Sequence, residues 1–194
     1  MNGFYSASPQ NGANINLGSV VGVWDLNDEG YVVGQVQGSP TYWDAQSVQH
    51  LISVLPGFGE GTAYAINNAG NIVGAFLPSE EALNANPLSL PHAFIYLSAN
   101  ASGPVDLNSL IADPRWILTF ARDINDAGQI VGTGFFNPAG PITPDVLEID
   151  LMIRIHHRDF AKLGGTISGY TPRGCTLRSF PCNKVIGRTL LSRR

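Results

Sequence analysis

The sequence predicts an all-β fold, a propeller-like array of three four-stranded antiparallel repeat units followed by a non-repeat C-terminal tail. Three observations predict it. One ten-residue pattern recurs three times, and each copy follows a pair of short apolar segments led by aromatic residues. Gly and Pro, 22 and 13 among 194 residues, punctuate the chain too densely for long helices.

The repeated pattern reads Asp25-Leu-Asn-Asp-Glu-Gly-Tyr-Val-Val-Gly34, Ala65-Ile-Asn-Asn-Ala-Gly-Asn-Ile-Val-Gly74 and Asp123-Ile-Asn-Asp-Ala-Gly-Gln-Ile-Val-Gly132. Each is a short strand, an Asn-rich turn and a Val/Ile strand. Asn side chains bond their own backbone in turns, and Gly supplies a positive φ without steric penalty. Asn27, Gly30, Asn67, Gly70, Asn125 and Gly128 are therefore the expected turn residues of three β-hairpins.

Upstream of each hairpin lies an aromatic strand, namely Gly3-Phe-Tyr5, Thr41-Tyr-Trp43 and His92-Ala-Phe-Ile-Tyr96. A second short strand follows each one, at 14–17, 50–54 and 105–107. Four strands per unit give units of about 2–34, 40–74 and 91–132, a period suited to propeller blades. Extra length falls in apparent loops near 78–91 and 112–115.

The repeat region, 1–144, gives way to a basic tail, 145–194. Residues 145–155 read as one strand or helix, and the rest as irregular. The front holds two basic residues, Arg115 and Arg122, against eleven acids, whereas the tail holds nine against four. No nucleic acid is expected at the repeat region, because its binding draws on clustered basic residues. Both cysteines, Cys175 and Cys182, lie in the tail. No apolar run is long enough to span a membrane, and the start lacks the features of a secretion signal.

The three hairpins resemble the Ile-Asn-Asp-x-Gly-x-Ile-Val-Gly core of the HAF-repeat family of bacterial extracellular proteins, and His92-Ala93-Phe94 carries the tripeptide that names it. The resemblance covers about residues 2–136. It implies a secreted or cell-surface β-protein and supplies no catalytic residue. The His-Ala-Phe strand is present only in the third unit, the second hairpin has Ala65 and Asn68 where the others have acids, and the tail matches nothing in the pattern.

Readings that would make this chain a metalloprotein or an enzyme fail on spacing. Asp25-x-Asn27-x-Glu29-Gly30 echoes a calcium loop, but position 12 is Val36, Phe76 or Gly134 instead of the bidentate Glu that such a loop needs. Gly57-Phe-Gly-Glu-Gly61 has neither the glycine spacing nor the following helix of a dinucleotide site. His156, His157, Cys175 and Cys182 do not have structural-zinc spacing. His50 and His92 lie in strand patterns and read as satisfied strand histidines, and Glu80-Glu81 reads as a solvated loop pair. The sequon Asn100-Ala-Ser102 matters only in a glycosylating host. No cofactor, metal or catalytic residue is therefore expected.

Aromatic residues remain. Adjacent strand residues face opposite sides, so about half belong to the core and the rest offer a shallow surface. Trp24, Trp43, Tyr96 and Trp116 are the candidates for it, with a carbohydrate or a protein as ligand. The expected function is an extracellular binding or scaffold module without catalysis. The rivals are a glycan-active propeller enzyme and a truncated or frame-shifted fragment. Three units are fewer than usually close a propeller, so the expectation is either self-association through open sheet edges or a longer protein that supplies the missing blades.

Overall fold

The computed structural model describes residues 2–6, 14–98 and 103–136, and the backbone of 148–154. The described residues are mostly β-strand, with little helix. Strands β1 (Asn2–Ser6) and β2 (Asn14–Ser19) form a two-stranded sheet. β3 (Gly22–Leu26), β4 (Val32–Val36), β5 (Ser39–Trp43) and β6 (Gln49–Leu51) form a four-stranded one. β7 (Phe58–Ile66), β8 (Ile72–Pro78), β9 (His92–Tyr96) and β10 (Val105–Asp106) form a second, and β11 (Trp116–Ile124), β12 (Gln129–Phe136) and β13 (Glu148–Arg154) a three-stranded one. Every pairing is antiparallel, and none of the four sheets closes on itself.

The sheets are out of phase with the units 2–34, 40–74 and 91–132, and each unit is divided between two sheets. A four-stranded sheet combines the hairpin of one unit with the aromatic strand pair of the next. The reason is local. Gln37 and Gly38, with φ of 48° and 80°, make a two-residue turn between β4 and β5. Positive φ at both central residues matches strand twist and forces the next strand to pair with the last. The longer connection from β8 to β9 reaches the same pairing. It holds the helix α1 (Glu80–Ala85), N-capped by Ser79, where a loop was expected, and Glu80 and Glu81 occupy its first turn.

Residues 148–154 resolve the strand-or-helix alternative in favour of a strand. β13 pairs with β12 from Gln129↔Arg154 to Phe135↔Glu148, the place that β5 and β9 take in their own sheets. The rest of the tail, with His156, His157, Cys175 and Cys182, and the sequon lie outside the described residues.

Successive sheets lie face to face, with an apolar layer in each gap. Leu17, Val32 and Trp43 fill the first, Val33, Ile66 and Phe76 the second, and Val73, Ile95 and Leu118 the third. Val32 and Val33 point to opposite faces and both are buried. The same holds for Ile72 and Val73, which is why these strands read as unbroken apolar pairs instead of alternating with polar residues.

Candidate functional site

The three hairpin turns are built alike. In the first, the Asn27 N–H donates to the Tyr31 carbonyl, and Gly30 donates back to Asn27. Asn67 and Gly70, and Asn125 and Gly128, repeat this. Gly30, Gly70 and Gly128 hold φ of 81°, 75° and 72°, the left-handed region that glycine enters without strain. Each Asn Oδ1 accepts the N–H four residues on, from Tyr31, Asn71 or Gln129, at 2.9 Å. That leaves the side-chain amide nitrogen available to reach another turn.

These nitrogens link the turns into a ladder. Asn27 Nδ2 donates to the Asn67 carbonyl, and Asn67 Nδ2 donates to the Asn125 carbonyl, both at 3.1 Å. One residue on, a second ladder runs in parallel. Asp28 N–H donates to Asn68 Oδ1, and Asn68 N–H donates to Asp126 Oδ1. Asn68 Nδ2 reaches Asp28 Oδ2 at 2.7 Å and Asp126 Oδ2 at 3.1 Å. An amide between two carboxylates satisfies both without placing like charges in contact. Asp25 contributes again, accepting from Leu26 N–H and, across the gap, from Ile66 N–H at 3.0 Å.

The second glycine of the pattern creates the exposed surface. Strands β3, β7 and β11 each carry a register shift, between Val23/Asp25, Ala63/Ala65 and Ala121/Asp123. The extra residues are Trp24, Tyr64 and Arg122. Opposite stand Gly34, Gly74 and Gly132, where a Cβ would lie 2.3, 2.0 and 2.0 Å from the carbonyl oxygens of Gly22, Thr62 and Phe120. Only glycine admits the bulged strand so closely, and a bulge re-aims the side chain it carries. Trp24 and Tyr64 meet edge to face at 6.1 Å, and the Arg122 guanidinium lies 4.7 Å from the Tyr64 ring centre and 4.5 Å from that of Phe120. An aromatic, aromatic, cation row thus crosses the three hairpins.

Of the four aromatic candidates, Trp24 is exposed on this row. Trp43 and Trp116 are not surface residues: they lie in the first and third apolar layers, because their strand positions face a neighbouring sheet. Tyr96 is half-buried beside Tyr42, with ring centres 5.9 Å apart. Sequence reasoning missed Tyr64 and Arg122. The signal was their shared column with Trp24, which three unlike residues hide.

Elsewhere the polar groups serve the strands. His50 Nε2 lies 2.9 Å from Asp44 Oδ2, and His92 Nδ1 lies 2.7 Å from Asp106 Oδ2. The His50 bond holds the Asp44 carboxyl below the usual carboxylate range. For Asp106, burial pulls upward, but the bonds from His92 and Asn108 outweigh it and the carboxyl is again lowered. Burial, then the neighbouring Tyr96, pushes the Tyr42 phenol up to about 12. Arg115 is forked onto Asp113, which leaves Arg122 as the basic residue of the repeat region that has no acidic partner among the described residues. Those residues also hold no group of three or more metal-ligating side chains and no helix long and apolar enough to cross a membrane. Comparison with protein-family models, curated proteins and solved structures finds no match.

Proposed function

We propose that the chain is a repeat-built binding and scaffold module that works outside the cell without catalysing a reaction, and that it presents the Trp24–Tyr64–Arg122 row to a carbohydrate. One observation carries this reading: the polar residues of the repeated pattern are used to bond one turn to the next, while the bulge they flank sets an aromatic and cationic row on the surface. Face-to-face stacking of sheets in chain order supports a propeller-like arrangement. The extracellular setting rests on the resemblance to HAF-repeat proteins. With eleven acids and two bases in the repeat region, the row offers a local cation in an acidic surround, which favours a sugar bearing a single acid group over a polyanion. Flat sugar faces stack on Trp and Tyr, and the guanidinium takes the carboxylate.

Titrating the full chain with aldouronic acids, oligosaccharides that carry one carboxylate each, and with neutral xylo-oligosaccharides, while following tryptophan emission, tests this. Trp43 and Trp116 are buried, so a change reports Trp24. By calorimetry, which needs no reporter at position 24, Trp24→Ala is expected to weaken uronide binding by about tenfold or more, and Arg122→Gln to remove the preference for the acid sugar. Absence of any response to either series would defeat the carbohydrate reading.

A further inference from the structure

The three copies of the hairpin's first strand have different surroundings, and the difference points outward. Leu26, Ile66 and Ile124 occupy the same position. Ile66 and Ile124 are each 5% exposed, whereas Leu26 is 55% exposed. Val21 is likewise exposed where Gly61 and Thr119 are buried. In the second and third hairpins a complete sheet precedes the strand and covers it. Before β3 the described residues hold β1 and β2 alone, and no described strand pairs with the other edge of β1. In the four-stranded sheets that place, beside the aromatic strand, belongs to the second strand of a hairpin, as β4 lies beside β5 and β8 beside β9. Exposed Val21 and Leu26 therefore mark the space that one more hairpin would fill.

We infer that the face made by β3 and the edge of β1 with which no described strand pairs is a docking surface for a β-hairpin of the second copy's kind, Ala-Ile-Asn-Asn-x-Gly, supplied by another stretch of polypeptide. The ladders choose the kind. Where the second hairpin precedes the third, Asn68 donates its N–H and Nδ2 to Asp126, and Ala65 leaves Ile124 N–H to Asp123 of its own strand. The first hairpin is laid out as the third is. Asp25 bonds Leu26 N–H, and Asp28 Oδ1 has no partner among the described residues. An incoming Asn repeats the Asn68-to-Asp126 contact on Asp28, and an incoming Ala avoids a second carboxylate at Leu26 N–H. A second copy of this chain is the poorer occupant. Its third hairpin would bring Asp123 and Asp126 against Asp25 and Asp28, and its β12 edge is taken by β13. Like charges so placed oppose end-to-end stacking.

This inference rests on the repeat-scaffold reading but not on the sugar ligand, whose failure would leave it standing. The test extends the full chain, placing a copy of residues 58–78 ahead of residue 2 through a flexible Gly/Ser linker. Amide exchange in β1 and β3 is expected to slow by about tenfold or more, and acrylamide quenching of Trp24 to fall. A version of the copy carrying the Asn68→Asp and Ala65→Asp changes is expected to lose most of that protection. Should the fused copy not fold, a cyclised peptide of residues 58–78 titrated into the unextended chain gives the same readout. Unchanged exchange with both fused copy and peptide overturns the inference, as does equal protection by the acidic version. Sedimentation of the unextended chain as a dimer that already protects β3 would overturn it too, by naming a second copy as the occupant.

Discussion

Strands β3 and β7 carry the same bulge opposite the same glycine and end in the same turn, yet one lies against a two-stranded pair and the other against a full four-stranded sheet. Their side chains differ accordingly. What the comparison teaches is that burial here belongs to the place in the stack and not to the residue: apolar residues in one column are core in the second hairpin and surface in the first. The turns do not follow this division. Asn27 is as buried as Asn67, because each donates to the turn that follows it, and only Asn125, last in the ladder, is exposed and turns its amide to Gln129. The stack is thus directional, with its apolar opening at the first hairpin and its polar end at the third.

The largest effect is expected at the bulge glycines. Gly74→Ala sets a Cβ 2.0 Å from the Thr62 oxygen and 2.6 Å from the Phe94 ring, wedged between its two partner strands β7 and β9 in a sheet covered on both faces. A loss of about 3 kcal/mol or more in urea unfolding is expected, and about half that for Gly34→Ala, whose nearest neighbour is the carbonyl of Gly22 on the less covered β3. Equal losses would show that the bulge, and not the covering sheet, sets the penalty.

Next comes the core column. Ile66→Ala is expected to cost about 3 kcal/mol and Leu26→Ala less than about 1 kcal/mol, as cavity formation requires a site closed on all sides. A large loss at Leu26 would mean that its face is covered in solution.

The ladder follows in size. Asn67→Ala removes a buried side chain, orphans the Asn71 N–H and leaves the Asn125 carbonyl with the Gly128 N–H alone, a loss of about 2 kcal/mol, whereas Asn125→Ala removes exposed bonds worth about 0.5 kcal/mol. Thermal unfolding of the two variants side by side measures the difference.

These contrasts also mark how far the sequence could be read. The turns were legible because Asn67 and Gly70 act on their own neighbours, within four residues. The antiparallel strands were legible for the same local reason. The phase of the sheets was not, since self-similarity fixes a period but not where a unit starts, and the Gln37-Gly38 turn that decides it does not recur. Nor was the exposed row: the role of Gly34, Gly74 and Gly132 depends on a bulge across the hairpin. Trp43 and Trp116 could not be told from Trp24 because facing depends on which side of the strand meets a neighbouring sheet. The links between turns, 40 and 58 residues apart, join residues whose types were plain but whose partners only the stack reveals.

The smallest contrast sets two histidine–aspartate pairs against each other as pH falls. Asp44 and Asp106 both have carboxyls lowered in the folded state, Asp44 through His50 foremost and Asp106 through His92 and Asn108 against the pull of burial. A depressed folded value means stability that is fully present above the unfolded carboxylate value, 3.8, and lost as pH falls through the lower folded one. The window is therefore acidic, below about pH 4, and neutral pH does not probe it. Asp106 also caps the turn Leu107–Leu110 by accepting the Asn108 N–H at 2.8 Å, and surrounding protein weighs more on its carboxyl than on that of Asp44, although the two side chains are similarly exposed to water. Asp106→Asn is expected to cost about 1 kcal/mol at pH 7 and to flatten the acid limb of stability, while Asp44→Asn, on the exposed β5–β6 connection, should leave that limb nearly as steep as before. Urea unfolding of both variants from pH 7 to pH 3 separates them. If Asp44→Asn flattens the limb as much as Asp106→Asn, then enclosure does not govern the acid response, and the carboxylate bonds of the exposed connection matter as much as those at the packed one.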